Sequence, residues 1–366
     1  MPKDNQVLFV GVDAHQETLS IAVLVGDSQE PLQPVTIPNR PPIIRRHFRR
    51  LLEQGTVIAT YEAGSLGFVL YRQLMDMGVQ CVVAAPSHLP KIPGDHRKTD
   101  RLDAQRLASF LRAGQIVQVR PPTPQIEALR TLTHTREAMR EDVVRARHRI
   151  LKLCLVRGMV FRDGMNWTAK HLAWLRKLEL PIADDRQTLD FLVDELEQRV
   201  GALARLDLRM EERALQPDVD EAVRSLRAFR GVKTLTALSV VAEIADPRRF
   251  KNAKQVASYC GLIPSEHSSG ARVHRGHITR SGNSRLRRLL IEATQHFARP
   301  YPETSAVHRR RPAAPPKAQR IAARADTRLK ARYRKLAARK HTNLAKTAVA
   351  RELIGFLWAA LHLDMN

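Results

Sequence analysis

The stretch Val7-Leu-Phe-Val-Gly-Val-Asp-Ala-His-Gln-Glu-Thr-Leu-Ser-Ile-Ala-Val-Leu-Val25 decides the fold of the N-terminal region. Its two halves, residues 7–12 and 18–25, are rich in β-branched side chains and flank the polar segment 13–16, which predicts a β-hairpin. Beyond the hairpin, helices are predicted at residues 43–54, 66–77 and 101–113, and strands at residues 56–60, 80–85 and 116–119. This order predicts an α/β domain with a mixed sheet over residues 1–123.

The character of the chain changes at Pro124. Apolar residues then follow the spacing of one long helix, and residues 188–214 repeat that pattern. Two long helices with charged outer faces favour either an antiparallel hairpin or a dimeric coiled coil. The sequence therefore predicts a helical region over residues 124–217, in which residues 161–186 form a short subdomain or loop.

A third, mainly helical region is predicted over residues 218–366. It opens with two helices around a tight turn at Gly231, the pattern of a helix-hairpin-helix. Residues 305–351 then contain fifteen lysines and arginines and a single acid, Asp326. We expect such a run to be disordered or ordered only on a phosphate backbone. Residues 345–363 predict a final apolar helix.

The charge of the chain points to a polyanionic partner. Sixty-one lysines and arginines against 37 acids give a formal net charge of +24, and each phosphate that such a protein neutralises releases condensed counterions. Nucleic acid is therefore the expected main partner. A ribosome-associated or merely basic protein is the alternative that composition alone leaves open.

Cysteine content and hydropathy indicate the compartment. Cys81, Cys154 and Cys260 lie far apart and form no CxxC pair, so we expect three buried thiols and neither a zinc site nor disulfides. The first residues lack the apolar segment of a signal peptide, and no apolar run is long enough to span a bilayer. We therefore expect a soluble intracellular protein and no membrane partner.

Four carboxylates are the first candidates for chemistry. Asp13 and Glu62 each end a buried strand, and Asp100 and Asp103 lie three residues apart on one face at the start of a helix. If the four converge at the edge of the sheet, their repulsion is relieved by divalent magnesium, and two such ions can clamp a phosphodiester. Alternatively, acids at strand ends form turns, and acids at a helix N-terminus complement its dipole.

A serine-containing loop is the second candidate. The segment Ser265-Glu-His-Ser-Ser-Gly270 is followed by arginines at positions 272, 275, 280, 285, 287 and 288, with no acid between Gly270 and Leu290. A serine among guanidinium groups can attack a phosphodiester while the arginines bind the strand. The alternative is a loop whose serines cap a helix or donate hydrogen bonds to phosphates. His267 is a candidate proton shuttle.

Four motifs together resemble one family. They are Gly11-Val-Asp13-Ala-His15, Tyr61-Glu62-Ala-Gly64, Lys98-Thr-Asp100-Arg-Leu-Asp103-Ala and the block that begins YCGLIPSEHSSG at Tyr259. Their order along nearly the whole chain is similar to that of the DEDD transposases of insertion sequences, the bridge-RNA-guided recombinases. Two departures are a longer basic Pro/Ala stretch near residues 309–317, and Lys233 where a glycine is common.

The resemblance implies a fold and a chemistry. It implies a ribonuclease-H-like (RuvC-like) domain, coiled-coil helices and a transposase domain, with Asp13, Glu62, Asp100 and Asp103 as ligands of Mg²⁺ or Mn²⁺. It implies Ser269 as the nucleophile, with Ser268 as the reserve candidate, and Arg272, Arg275, Arg280, Arg285, Arg287 and Arg288 as nucleic-acid contacts. Its expected partners are donor and target DNA and a non-coding guide RNA. It also implies a dimer or tetramer in which one subunit's carboxylates meet another subunit's serine, in the bacterial cytoplasm and associated with the nucleoid.

Three other classes of protein share some of these sequence features. A junction-resolvase-type nuclease shares the carboxylates but needs no serine, so replacing Ser269 discriminates it. An actin-like or sugar-kinase ATPase shares the opening hairpin but needs a second glycine-rich phosphate loop, which the sequence lacks. A non-catalytic RNA-binding protein explains the charge but leaves the four carboxylates without a purpose.

Overall fold

The structure is a computed structural model that describes residues 6–28, 30–90, 99–266, 275–298 and 305–362. Internal contacts divide the chain into two compact units, residues 1–121 and 122–366. The division into three regions at residues 123 and 217 remains a prediction. None of the described helices has the length and apolar character needed to cross a membrane.

The first unit is built on a six-stranded mixed sheet. Its strands are β1 (Val7–Ala14), β2 (Thr18–Val25), β3 (Val35–Pro38), β4 (Thr56–Glu62), β5 (Gln80–Ala84) and β6 (Gln118–Val119). The spatial order is β3-β2-β1-β4-β5-β6, and only β1, β4 and β5 run parallel to one another. The predicted opening hairpin and mixed α/β architecture are confirmed, and β3 is an additional edge strand that the sequence pattern did not predict.

In the described part of this unit, three α-helices accompany the sheet: α1 (Pro41–Leu52), α2 (Val69–Met75) and α3 (Asp100–Arg112). Helix α1 begins at a proline, whose fixed φ suits a first turn. It buries Ile44, Phe48 and Leu51, which follow helical spacing, while its arginines face outward. The core beneath it is formed by alternate residues of the central strands, including Val12 and Tyr61.

Two long helices open the second unit. They are α4 (Pro124–Val156) and α6 (Ala183–Arg213), with the short helix α5 (Ala169–Lys177) between them. Ion pairs join α4 or its C-cap to α6 at Arg136–Asp207, Arg149–Glu195 and Arg157–Asp185. Because the partner moves back along α6 as the arginine advances along α4, the helices are antiparallel. This favours the hairpin alternative over an intermolecular coiled coil.

The remaining elements form a helical core with a small hairpin. They are α7 (Asp220–Arg227), α8 (Thr234–Ile244), α9 (Ala253–Tyr259), β7 (Pro264–Glu266), β8 (Arg275–Ile278), α10 (Ser284–Ala298), α11 (Ser305–Arg310), α12 (Pro316–Ala337) and α13 (Thr342–Leu361). Residues 237–244 of α8 are all buried. The predicted turn between α7 and α8 is confirmed, with Gly231 at φ +78° and so tightly packed that a Cβ there would lie 2.3 Å from the Ala293 carbonyl oxygen.

The expectation of disorder for the basic segment 305–351 is wrong, because the structure places it in α11, α12 and α13. Small and branched residues of α12 recur at helical spacing and are buried, namely Ala318, Ala322, Ala325 and Leu329. The single acid, Asp326, is buried as well and accepts a hydrogen bond from Arg311 at 2.6 Å. One apolar face therefore orders a segment whose outer face carries the charge.

The three cysteines are buried and free, as predicted. Burial raises the pKa of Cys81 to about 12, and burial likewise raises the pKa of Cys260 to about 12. Both thiols are therefore protonated at neutral pH and act as small apolar side chains.

Candidate metal centre

The carboxyl ends of two parallel strands bring Asp13 and Glu62 to one edge of the sheet. The paired register of β1 and β4 runs to Val12 opposite Tyr61, so Asp13 and Glu62 are the next residue on each strand. Directly paired residues of neighbouring strands project to the same face. The side chain of Asp13 is 23% exposed, and Glu62 is an exposed residue.

Helix α3 is held against this edge by a close backbone approach. A Cβ on Gly11 would lie 2.0 Å from the Ala104 carbonyl oxygen and 2.5 Å from the Ala108 nitrogen. Gly11 and Asp13 are two residues apart on β1 and therefore face the same side of the sheet. The missing side chain thus lets α3 pack beside Asp13, and only glycine fits at position 11.

The start of α3 carries the other two acids. Thr99 is its N-cap, and the Thr99 hydroxyl accepts from the Leu102 amide at 3.3 Å. This fixes the first turn, which contains Asp100 and Asp103. The two acids also complement the positive end of the helix dipole, which is the alternative to metal binding given by the sequence. The same two acids can interact with the dipole and bind a metal ion.

Three potential ligand side chains converge at this point. Ligand atoms of Asp13, His15 and Asp100 all lie within 4.8 Å of one another. The distance from His15 Nε2 to Asp13 Oδ2 is 3.2 Å, and from His15 Nε2 to Asp100 Oδ1 it is 3.6 Å. His15 was not predicted as a site residue. Its place two residues after Asp13, in the turn between β1 and β2, was the signal that could have identified it.

Hydrogen bonds fix the backbone of the loop that contains His15. The Asn39 side-chain amide donates to the His15 carbonyl oxygen at 2.8 Å, and the His15 amide donates to the Thr18 carbonyl oxygen at 2.9 Å. The backbone of His15 is therefore tied both to its own hairpin and to the segment after β3. An anchored backbone restricts the imidazole to the neighbourhood of the two aspartates.

Asp103 and Glu62 have distinct surroundings. Asp103 is 21% exposed and accepts from Arg106 at 3.2 Å. The charge of Asp103 still contributes to the raised pKa of Asp13, so the two acids interact electrostatically. Glu62 follows Tyr61, the residue paired with Val12. Neither Glu62 nor Asp103 belongs to the group of ligand atoms that lie within 4.8 Å of one another. The role of all four acids as metal ligands remains a prediction.

The pKa of Asp13 is raised above its usual value, chiefly by burial. The negative charges of Asp100 and Asp103 raise this pKa further, while His15 acts in the opposite direction. Among the described residues that shift the pKa of Asp13, two are acids and one is a histidine, so negative charge predominates in its described surroundings. Oxygen donors with one imidazole suit a divalent cation, and Mn²⁺ accepts such a mixed donor set more readily than Mg²⁺.

The proposed serine centre lies outside the described residues. Ser268, Ser269, His267 and Arg272 fall in the segment 267–274. Strands β7 and β8, which precede and follow that segment, pair antiparallel with Pro264 opposite Ile278. Arg275 begins β8, and its side chain is not among those described.

The other predicted nucleic-acid arginines differ in their partners. Arg287 donates to the Cys260 carbonyl oxygen at 2.8 Å. Arg288 forms ion pairs with Glu137 at 2.8 Å and with Glu292 at 2.7 Å. Arg285 lines a small cavity, and Arg280 is exposed. Arg287 and Arg288 thus bind groups of the protein itself, and contacts of all these arginines with DNA remain predictions.

Comparison with known proteins gives two family matches. A model described as a transposase, of the DEDD IS110 type, matches residues 10–157. A second model, described as the transposase IS116/IS110/IS902 family, matches residues 223–309. The first match includes Asp13, Glu62, Asp100 and Asp103, and the second includes the segment that carries Ser268 and Ser269.

Individual relatives match across most of the chain. The sequence is 34% identical over 359 residues to the "Putative transposase y4qE" of Sinorhizobium fredii, covering 97% of this chain and 89% of that protein. It is 30% identical over 335 residues to the transposase for insertion sequence element IS1533 of Leptospira borgpetersenii, covering 90% of this chain and 96% of that protein. A third relative, the transposase for insertion sequence element IS1111A of Coxiella burnetii, is 27% identical over 63% of this chain and 62% of its own length.

Proposed function

The chain belongs to the IS110 family of insertion-sequence transposases, and from this premise we propose that it cuts and rejoins DNA with two chemical centres. The first is the carboxylate edge of the sheet, and the second is a serine between β7 and β8. DNA transposition is the activity that the family and its relatives support. The observation that carries the proposal is the convergence of Asp13, His15 and Asp100 within 4.8 Å.

The first unit is proposed to have the ribonuclease-H-like (RuvC-like) fold. Its strand order, with β1 central, β2 antiparallel to it and β4 parallel to it, supports this assignment. So does the position of Asp13 and Glu62 at the carboxyl ends of adjacent parallel strands, since ligands of open α/β sheets bind at that edge.

Divalent metal use follows from the DEDD type of this domain, and the residues present fit such an ion. Asp13, Asp100, Asp103 and Glu62 are the proposed ligands, with His15 as an additional donor. A divalent cation bound there supplies charge stabilisation to the oxygens of a phosphodiester undergoing displacement. Asp13 must lose its proton to bind a cation, and its raised pKa makes the site sensitive to pH.

The proposed nucleophile is Ser269, with Ser268 as the alternative. The serine hydroxyl gives up its proton, and its Oγ forms a bond to phosphorus as the bond from phosphorus to the leaving strand oxygen breaks. The leaving oxygen takes up a proton and becomes a free hydroxyl. The hydroxyl of another strand then attacks the phosphoserine, which reverses these steps and rejoins the DNA. Each step exchanges one phosphoester bond for another, so no external energy source is needed.

A non-coding guide RNA and a homo-oligomeric working form are also proposed. Both rest on the resemblance described above, and the net charge of +24 supports binding of RNA as well as DNA. Purifying the protein from its host and sequencing the bound nucleic acid tests the guide. One discrete non-coding RNA that matches the element ends supports guidance, whereas random cellular RNA refutes it.

Strand cleavage of DNA carrying the element ends tests the chemistry. We expect cleavage that needs Mg²⁺ or Mn²⁺ and a covalent protein–DNA adduct. Asp13→Asn should abolish cleavage and retain DNA binding, while Ser269→Ala should abolish the adduct. Cleavage that persists without an adduct in Ser269→Ala indicates a water-dependent nuclease of the resolvase type, and an adduct that persists identifies Ser268 or another nucleophile.

A further inference from the structure

A groove separates the β7–β8 hairpin from the α12–α13 pair in the second unit. Its cavity volume is about 810 Å³. Ile278 and Arg280 line it from the hairpin side, and Leu336, Lys340, Leu344 and Arg351 line it from the helices. The groove is thus bounded by the two strands that precede and follow the serine-containing segment in the sequence.

The charge of this groove has one sign. Arg280, Lys340 and Arg351 are exposed, and none of the described residues that line the groove is acidic. Arg332, also at its edge, forms an ion pair with Glu352 at 3.2 Å. A concave surface with several guanidinium and ammonium groups concentrates a positive potential, which attracts phosphate.

Arg280, one of the residues that line this groove, has an unfavourable backbone conformation. Its φ is +56°, in the left-handed region that costs a residue with a Cβ about 1 kcal/mol. Its neighbours enforce that conformation. The Arg280 amide donates to the Gly261 carbonyl oxygen at 3.2 Å, and a Cβ on Gly261 would lie 2.0 Å from the Ser281 carbonyl oxygen.

Glycine would occupy position 280 with less strain than arginine. Strained residues gather at ligand sites, so an arginine at a position where the backbone favours glycine is a candidate ligand-binding residue. The guanidinium is a strong phosphate ligand because its fork of donors matches two phosphate oxygens.

Apolar residues among the lining of the groove favour a single strand over a duplex. Ile278, Leu336 and Leu344 line the groove together with the basic residues, and Leu344 is 53% exposed. A duplex presents phosphates to a protein groove and keeps its bases stacked inside. A single strand presents both phosphates and apolar base faces, which matches a lining of basic and apolar side chains.

We propose that this groove binds a single strand of the DNA on which the protein acts. The proposal rests on the proposed function, because cutting and rejoining DNA is what supplies such a strand. It assigns phosphates of that strand to Arg280, Lys340 and Arg351. DNA rather than RNA is the occupant, since the strand that is cut and rejoined is DNA.

Binding of a labelled oligonucleotide tests the assignment. The probe is a fluorescein-labelled single DNA strand of about 20 nucleotides, followed by fluorescence anisotropy with the full chain between about 50 and 200 mM NaCl. The groove variant is Lys340→Gln with Arg351→Gln. We expect its Kd to rise about ten-fold and the slope of log K against log salt to become shallower by about 1.4, the value for two lost phosphate contacts on a single strand.

A matched variant separates the groove from the general charge. Lys335→Gln with Arg339→Gln removes the same two charges from exposed positions near the end of α12 that do not line the groove. We expect its Kd to change less than about two-fold. Equal losses in the two double variants overturn the proposal, as does tighter binding of an RNA of the same sequence that depends on the groove residues.

Arg280→Gly distinguishes binding from a structural role. It removes the side chain and relieves the backbone, so we expect Tm to stay the same or rise while the Kd for the DNA strand increases several-fold. A lower Tm with unchanged Kd overturns the proposal, because the arginine would then act in folding. Metal-dependent cleavage by the wild-type chain is measured separately, and its absence bears on the proposed function and not on the groove.

Discussion

Asp13 at the sheet edge of the first unit and Glu243 in the core of the second unit are both acids, yet their pKa values move in opposite directions. Burial raises the pKa of Asp13, and its acidic neighbours raise it further. Burial also acts to raise the pKa of Glu243, but His134, Arg130 and Asn283 hold it below the usual value.

The partners explain this contrast. His134 Nε2 lies 2.6 Å from a Glu243 carboxylate oxygen, and the Asn283 side-chain amide donates to the other at 2.7 Å. The Glu243 carbonyl oxygen accepts from Arg249 at 3.1 Å and from the Tyr259 hydroxyl at 3.3 Å. Glu243 therefore links four segments of the helical unit.

The opposite pKa shifts distinguish an acid that stabilises the fold, Glu243, from an acid at a candidate metal site, Asp13. The charge of Glu243 is balanced by groups of the protein itself, so it stabilises the fold and leaves no excess charge for a ligand. Among the described residues that shift the pKa of Asp13, the acids Asp100 and Asp103 outnumber the one potential cation, His15, and a charge imbalance of this kind is typical of functional sites. Substitutions should therefore affect folding at one acid and activity at the other.

Glu243→Ala should produce the largest change in stability. We expect the free energy of unfolding to fall by about 3 kcal/mol, because the hydrogen-bonded cations and amides around a buried acid lose their partner. Chemical denaturation measures this. Glu292→Ala, at an exposed ion pair with Arg288, should cost less than about 1 kcal/mol. Similar losses in the two variants would show that Glu243 does not link the core.

Gly11→Ala should weaken the first unit by about 1–3 kcal/mol, since its Cβ would overlap the backbone of α3. The displacement should also move Asp100 away from Asp13 and reduce divalent cation binding. Thermal unfolding with and without Mn²⁺ measures both effects. Gly201→Ala, within α6 and where a Cβ would make only an ordinary contact of 3.7 Å with Arg205 Nη1, should instead raise stability by up to about 1 kcal/mol. A stable Gly11→Ala protein with wild-type metal affinity contradicts the close-packed role of α3.

Asp13→Asn should leave folding intact while abolishing cleavage. The folded-state pKa of Asp13 lies above its ordinary value of 3.8, so the folded state binds the proton more tightly and its relative stability falls as pH rises through that window. Removing the charge removes this cost. At neutral pH without metal, the Tm of the variant should therefore equal or exceed that of the wild type, whereas a clearly lower Tm contradicts the charge imbalance.

His15→Gln should have the smallest effect. We expect the affinity for Mn²⁺ to fall about ten-fold with no change in Tm, because His15 contributes one donor beside the carboxylates. Isothermal titration calorimetry measures the affinity. His88→Gln, an exposed histidine in the same unit, is the matched control. Equal affinities for the His15 variant and the wild type would exclude the imidazole from the site.

The sequence predicted the first unit well because its periodicity is strong. The opening hairpin was correct, and strand β4 was found two residues short of its observed end at Glu62. Strand β3 was missed because it has only four residues and lies at the edge with little burial. The β7–β8 hairpin was missed for the same reason, since strands of three and four residues carry too little pattern to detect.

The candidate site was only partly accessible from sequence. Asp13 and Asp100 were identified because acids at a strand end and at a helix start are local signals. His15 was missed because its proximity to Asp100 depends on how α3 packs, which a sequence pattern does not specify. The hydrogen bonds to the Glu243 carboxylate likewise come from distant residues, since His134 and Asn283 are 109 and 40 residues away in the sequence.

Thermal unfolding of wild-type protein and Asp13→Asn in increasing Mg²⁺ or Mn²⁺ tests the central claim most directly. If the carboxylate edge binds the cation, the wild-type Tm should rise by about 5 °C at a concentration about one hundred times the Kd, and the Tm of Asp13→Asn should not move. An equal rise in both proteins would place the cation elsewhere and contradict the account.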